Sequence, residues 1–441
     1  MKRLLALGLA LEGVYAAIAL QTEGREGLLA TLVLHFAAAL LYLAAGAVTL
    51  SGTDPRPVAS RLGVNAVLAF SVLFRATALI GAPLLSTDIH RYAWEGRVQA
   101  HLENPYRLAP DARELEPLRD ANWEKVEHKE IPAVYGPLAE ATFLALRVPL
   151  AMKVFFTLAD LAVLGLVARA LARRGLPGEL ALFYGWHPLP VIEVAGQGHL
   201  DALGVALLLL ALDLAERRRL LAGAVLGLAA AVKFLPLIII PAFARRTGAK
   251  PALLALAVFA AWLLPYGLPR GGLTKYATEW RFNATGIVLV EEALERTGLE
   301  KRVALALAGG DRWKAVDTPY DKAPQRIAAG LLAALAALLL ARALDLEKAA
   351  LGAIGAVLAL SPVVHPWYLL WVLPFAVTRR SLALLELSLA APVTYVVLLA
   401  YDGTRESWHE EAWPRLLLLV PFLGLLVWEN AWHGKRVPGA P

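Results

Sequence analysis

The sequence predicts an all-α polytopic membrane protein with about 13–14 transmembrane helices and two long extracytoplasmic loops. Three observations predict it. Of the 441 residues, 58% are hydrophobic and only 18% charged, and mean hydropathy is +0.57; soluble domains are roughly a quarter charged. Apolar runs follow one another nearly end to end, so residues 1–441 read as one integral membrane domain. The formal charge of +6 lies largely in short Lys/Arg clusters between those runs. That pattern sets membrane orientation and is not a nucleic-acid footprint. The absence of cysteine excludes disulfides, a thiolate nucleophile and Cys-ligated metal.

A spanning helix needs about 20 apolar residues, fewer where helices are broken. The runs fall at 4–20, 27–50, 61–84, 152–172, 180–195, 199–215, 220–234, 235–246, 251–268, 326–343, 349–364, 366–378, 381–400 and 414–432. The first lacks a small-residue cleavage site ahead of a soluble domain, so it is a span and not a signal peptide. Residues 1–60 read as an added N-terminal helical hairpin. The run 137–151 is too brief to cross and is a candidate re-entrant or interfacial helix. With Lys2 and Arg3 inside, the clusters Arg173–Arg174, Arg217–Arg219, Arg245–Arg246, Arg379–Arg380 and Lys435–Arg436 all become cytoplasmic, as do both termini. The same threading leaves loops 85–136 and 269–325 outside a plasma membrane. "ELEPLRDANWEKVEH" and "GIVLVEEALERTGLEKRVALAL" within them read as amphipathic interfacial helices.

Polar groups with chemical potential gather on that outer face. In "STDIHRYAWEGRVQAHLENPYR", residues 86–107, a helix starting at Asp88 aligns Asp88, Arg91, Tyr92, Glu95 and Gln99. Ser86 or Thr87 serves as N-cap. One reading is a capped juxtamembrane helix with a solvated ion-pair face. The other makes Asp88 a general base, with arginines holding an anionic substrate and Tyr92, Trp94 and Glu95 lining it. "VYGPLAE" follows, its Gly and Pro suiting a sharp return to the membrane and Tyr135 an interfacial anchor.

"WHPLPVIEVAGQGHLDAL", 186–203, places Glu193, Gln197, His199 and Asp201 where two apolar helices are interrupted. Each ionisable group within hydrocarbon costs roughly 2.5–3.5 kcal/mol, so these form either a polar helix clamp or a binding site. Their spacing matches no dedicated metal motif, and no metal is expected. Lys233 is a lone cation in "GLAAAVKFLPLIII", where a ligand phosphate could supply the counter-ion and snorkelling is the alternative. "SPVVHPWYLLWVLPF" breaks a span around His365, with Trp367 and Tyr368 next; a satisfied core histidine and a functional one both fit. "YATEWRFNATG" adds Arg281 and Asn283, within a chance-level glycosylation sequon.

These blocks resemble a known family. "STDIHRYAWEGR…NPYR…VYGPLAE" is similar to the "SDIYRYLWDGR…NPY…YPPLAQ" opening of bacterial polyprenyl-phosphate-sugar-dependent glycosyltransferases of the GT-C type, and more distantly to the GPI first-mannose transferases. "EVAGQGHLDAL" resembles that family's "GSGHNDAL" block, and "VKFLPLIIIP", "EWRFN" and "SPVVHPWYLLW" resemble later blocks in the same order. The resemblance spans roughly residues 61–380 and leaves out the first two spans. It implies a GT-C fold, an outer loop carrying a catalytic acid at Asp88, and a polyprenyl-phosphate sugar, mannose above all, as donor. Many relatives carry paired aspartates there; this chain has Thr87-Asp88 and then His90, which leaves one carboxylate and argues against a divalent metal.

Physical chemistry then assigns roles. Negative charge developing on the departing lipid phosphate calls for cations, here Lys233, Arg91 or Arg281, with His365 assisting. Deprotonating an incoming hydroxyl from the opposite face calls for a carboxylate, and in-line displacement inverts the anomeric centre. Tyr92, Trp94, Glu95, Tyr135, Glu193, Gln197, His199, Asp201, Asn283, Trp367 and Tyr368 are the candidate substrate contacts. The acceptor is a glycolipid or glycan outside the cytoplasm, with membrane lipid around the helices and no cofactor. A transporter or flippase of lipid-linked sugars is the alternative, though related halves and polar groups at both faces are missing. A structural scaffold leaves Asp88, Lys233 and His365 unexplained.

Overall fold

The computed structural model describes residues 2–51, 61–317, 320–403 and 407–434; the cluster Lys435–Arg436 and residues 52–60, the end of the expected 1–60 hairpin, lie outside the described residues. Among these residues the chain is all-helical, with no strand and one isolated parallel bridge between Phe282 and Val363. Among the described residues five helices are long and apolar enough to cross a membrane: Arg25–Ser51, Pro149–Arg173, Ala323–Ala343, Leu382–Leu399 and Ala412–Ala431. Gly63–Leu79, Pro137–Leu146, Arg219–Val232 and Ala249–Leu263 are shorter apolar helices.

The chain divides into two compact units: Met1–Ile89 with Val148–Ala206 and Leu369–Pro441, and His90–Arg147 with Leu207–Tyr368.

In the first unit, Lys2–Ala19 and Arg25–Ser51 form a hairpin. The next helix, Arg61–Leu79, packs on Lys2–Ala19. Tyr15, Phe70, Phe74 and Trp186 interlock, with Trp186 Nε1 donating to Val67 O at 3.0 Å and Tyr15 OH to Trp186 O at 3.4 Å. Tyr42 OH donates to Phe183 O at 3.1 Å, so the hairpin is anchored to the segment ahead of the interrupted helices. Deeper still, the Arg75 guanidinium meets the Asp160 carboxylate and donates to Ser71 O and Gly185 O, while Tyr184 OH donates to Asp160. Both ionic side chains are fully buried. Such a pair holds only because several hydrogen bonds satisfy it.

The second unit shows how a membrane helix chooses its faces. Along Ala323–Ala343, Ala329, Ala333, Ala337 and Ala341 are buried, while Leu331, Leu335, Leu338 and Leu339 are exposed. The small residues recur every fourth position and admit close approach by Leu346–Leu360. The leucines are left facing outward, the inverse of a soluble helix and the arrangement lipid requires. Pro137–Leu146 is only 10 residues, roughly 15 Å, about half a bilayer core, and Arg147 in the left-handed region ends it. The chain then begins a separate helix at Pro149, so the 137–151 run does not span.

Of the two amphipathic segments, 286–307 is helical as expected, divided into Gly286–Thr297 and Leu299–Leu307 by Gly298. "ELEPLRDANWEKVEH" is not. Pro117 limits it to a 3-10 turn, Arg113–Leu118, and one helical turn, Ala121–Glu124. Its apolar residues Leu115 and Val126 are drawn into a core with Trp94 and Val98, which the helical register would not have delivered.

Because the Arg75–Asp160 pair is buried on both sides, Asp160→Ala should destabilise the protein by about 3–5 kcal/mol through an uncompensated guanidinium. The exposed Glu216→Ala change, which breaks the Arg246 ion pair, should leave the thermal midpoint unmoved. Scanning fluorimetry in detergent checks both.

Candidate active site

The segment between Trp186 and Asp201 is helical by sequence yet carries too many interruptions for one straight helix. Pro188–Pro190 opens it, and Val191–Gly196 is a wide π-turn in which Gln197 N donates to Ile192 O at 2.8 Å. Wide turns of this kind gather at functional sites because they displace one side chain from the ordinary register. Gly198 then adopts φ +86°, and a Cβ there would lie 2.8 Å from Ile89 Cδ1 and 3.0 Å from Lys153 Cγ. Only glycine fits. Asp201 starts the helix Asp201–Leu214, where the helix dipole favours a carboxylate.

These turns place the ionisable side chains of the first unit side by side. Ser86 Oγ accepts from Asp88 N at 3.2 Å, the local turn that starts the helix Asp88–Ala100. Asp88 keeps its side chain 31% exposed, with Oδ2 3.9 Å from His199 Nδ1. On the far side of the imidazole, His199 Nε2 lies 3.3 Å from Glu193 Oε2. Tyr395 OH donates to the other Glu193 oxygen at 2.8 Å. Trp371 Nε1 donates to Asp201 Oδ1 at 2.6 Å, and Gln197 Oε1 accepts from Leu85 N at 2.8 Å. Glu193, Gln197, His199 and Asp201 are all buried. Each is therefore engaged by protein, with Asp88 the solvent-facing member.

The second unit holds two further groups. In one, Lys233 ends the helix Arg219–Val232 in extended backbone, because Pro236 cannot continue it and a 3-10 turn, Leu235–Ile239, follows. Gly136, whose N donates to Val232 O, lets its own backbone press against this helix end; a Cβ there would sit 2.2 Å from Ala231 O. Lys233 Nζ rests 3.9 Å over the Tyr368 ring, and the Tyr368 and Tyr276 hydroxyls bond to each other. His365 stacks on Trp367 at 4.1 Å and meets Phe282 and Tyr368 at 5.0 and 5.5 Å. Val364 N donates to Phe282 O, Phe282 N donates to Pro362 O, and Asn283 Nδ2 donates to Val364 O at 3.0 Å, so "EWRFN" braces the "SPVVHPWYLLW" turn. Arg281 lies beside them, half exposed, with Nη1 3.0 Å from Glu291 Oε2.

The other group, Arg91, Tyr92, Trp94 and Glu95, is buried. The Arg91 guanidinium donates to Glu95 Oε1 at 2.9 Å and to the carbonyls of Glu127, His128 and Ile131. It clamps the 127–131 loop. Tyr92 and Trp94 are both 1% exposed and serve as core, Tyr92 stacked on Phe143 at 4.5 Å with Tyr135 at 5.0 Å across its edge. Glu95 is buried beside Glu140; Gln99 Nε2 donates to Glu140 Oε2 at 2.9 Å, and Gln99 Oε1 accepts from Tyr266 OH at 2.9 Å. Burial first, then the neighbouring Glu95 carboxylate, pushes the Glu140 carboxyl well above the ordinary carboxylate range.

The structure thus gathers Asp88, Glu193 and His199 in one unit, and Lys233, His365, Trp367, Tyr368 and Asn283 in the other. Tyr395, Tyr276, Trp371 and Glu140 went unnoticed in the sequence. Tyr395 and Glu140 left a trace there as single polar residues in apolar helices; Trp371 and Tyr276 left none.

Two family models match the chain. An alpha-(1→6)-mannopyranosyltransferase N-terminal domain aligns with residues 8–248, and glycosyltransferase family 87 with residues 133–366. The first match begins within Lys2–Ala19. No curated protein and no solved structure matches the chain.

A carboxyl that holds its proton in the folded state favours folding fully below the ordinary carboxylate range and loses that contribution as pH rises above it. Thermal stability should therefore decline over that rise, and Glu140→Gln should flatten the slope. A pH series of melting temperatures reads this directly; an unaltered slope removes Glu140 as its source.

Proposed function

We propose a reaction from one premise: the chain belongs to the alpha-(1→6)-mannopyranosyltransferase family and to glycosyltransferase family 87, and is therefore a mannosyltransferase-like GT-C membrane glycosyltransferase acting on a sugar donor and an acceptor. The finer reading is transfer of a hexose, mannose foremost, from a polyprenyl-phosphate donor to a glycolipid or glycan acceptor. It proceeds with inversion, at the extracytoplasmic face of the plasma membrane, with both termini cytoplasmic. The Lys/Arg clusters between apolar runs support that orientation.

One observation carries the proposed mechanism. Asp88 opens a helix with a carboxylate that reaches solvent on one side and faces a buried histidine on the other. A general base needs that placement: contact with an incoming hydroxyl and a fixed orientation behind it. As the acceptor oxygen bonds to the anomeric carbon, its proton passes to Asp88. The bond to the lipid phosphate breaks with its electron pair, and the phosphate leaves as an anion. Lys233, oriented by the Tyr368 ring, is the cation assigned to that phosphate, and Arg281 is the second. His365, held edge and face by Phe282, Trp367 and Tyr368, is assigned to assist the leaving oxygen. Flat aromatic faces such as Trp367 suit the apolar side of a hexose ring.

Purified protein in liposomes, given radiolabelled polyprenyl-phosphate mannose and candidate acceptors, tests the reading. Asp88→Asn should lower kcat by about 10²–10⁴-fold with donor binding intact; wild-type turnover would free Asp88 of the role. Lys233→Ala should weaken donor affinity by about tenfold or more, the worth of a charge-assisted hydrogen bond, and unchanged affinity would assign the lysine to structure.

A further inference from the structure

We infer that His199 and Glu193 work behind Asp88, His199 as the positioning residue for the base and Glu193 as the terminal acceptor of the proton it collects. This rests on Asp88 being the base. The observation is the order Asp88, His199, Glu193, Tyr395, in which each ring nitrogen of one imidazole faces a different carboxylate, at 3.9 and 3.3 Å, and the last carboxylate accepts a tyrosine hydroxyl at 2.8 Å. His199 and Glu193 are both fully buried, whereas Asp88 is partly exposed. Water thus reaches one end of the row only.

A clamp between helices does not call for this order. Tyr395 already engages Glu193, and Trp371 already engages Asp201 two residues along from His199. The imidazole is held instead by the wide turn Val191–Gly196 and by Gly198, whose positive φ turns the chain so that His199 follows it directly; His199 N donates back to Glu193 O at 3.0 Å. One short segment therefore carries both the histidine and its buried carboxylate. Asp88 and Glu193 face the ring; Tyr395 meets Glu193, Asp201 is held by Trp371, and Lys153 lies by Gly198. Lys153 lays its stem against Gly198 and donates its ammonium to Gly81 O at 2.8 Å.

The transfer balances. Before reaction, His199 carries its proton on Nε2, toward Glu193, and presents the Nδ1 lone pair to Asp88. The acceptor hydroxyl gives its proton to Asp88 as the glycosidic bond forms. Asp88 passes a proton to Nδ1 while Nε2 releases one to Glu193 Oε2. Asp88 is again a carboxylate, His199 has exchanged tautomer, and Glu193 is a neutral acid. Reversal through the same row, after product leaves, returns the proton to solvent at Asp88. Both contacts, 3.9 and 3.3 Å, tighten into hydrogen bonds as the exposed Asp88 side chain turns toward the ring, since catalytic hydrogen bonds tighten on substrate binding.

The experiment measures kcat, donor KM and the pH dependence of kcat for Glu193→Gln, His199→Gln and Tyr395→Phe, with Asp88→Asn in parallel. Glu193→Gln should lower kcat about 10²-fold at unchanged KM. Its acidic limb should move to lower pH, because a like charge has been removed from behind the base. His199→Gln should lose kcat similarly. Tyr395→Phe removes one hydroxyl and leaves packing intact, so its several-fold loss of kcat at constant KM decides the matter should the other variants not fold. Wild-type kcat and acidic limb in folded Glu193→Gln, or unaltered kcat in Tyr395→Phe, overturns the inference. If Asp88→Asn is inactive in that case, the base assignment stands without the relay; if Asp88→Asn is active, the base assignment itself fails.

Discussion

A polar atom inside an apolar bundle has no water to bond, so every ionisable group placed there must find its partner in the protein. That constraint organises this molecule. Arg75 and Asp160 satisfy it by pairing and by bonding Ser71, Gly185 and Tyr184. Arg91 satisfies it with Glu95 and three loop carbonyls. In the row from Asp88 to Tyr395 each ionisable group faces the next, and one carboxylate is left open to solvent. In the first two cases the solution yields rigidity; in the third it leaves a group that can exchange a proton.

Broken helices are the means by which such groups are presented. Lys233 stands where Pro236 stops a helix, His365 where prolines stop another, and His199 where a wide turn and a positive-φ glycine interrupt a third. Each break frees backbone groups, and each is braced locally: Gly136 against Val232, Phe282 against Pro362 and Val364, and Gln197 against Leu85. Irregular backbone at these positions is thus braced by hydrogen bonds from neighbouring protein segments, which is how it persists among apolar helices.

Buried acidic groups on the helix Asp88–Ala100 have a different part. Glu95 shares a buried site with Glu140, Gln99 and Tyr266 and ties the loop clamp of Arg91 to the ten-residue helix Pro137–Leu146. The helical face that aligns Arg91, Tyr92, Glu95 and Gln99 is real, and it points into protein. Periodicity states which residues share a face and is silent about what covers it.

By itself the sequence determined the all-helical membrane class, the interruptions around His199, Lys233 and His365, the brevity of 137–146 and Asp88 at a helix start, because hydropathy, proline and glycine act locally along the chain. Five ordered blocks also made the family legible before any coordinate. Only tertiary structure decided that Trp94 and Tyr92 are core, that Arg91 holds a loop, and that Tyr395, 202 residues away from Glu193, completes the row behind Asp88. Those outcomes depend on which partner reaches a buried polar atom, and partners so distant in sequence meet only through packing.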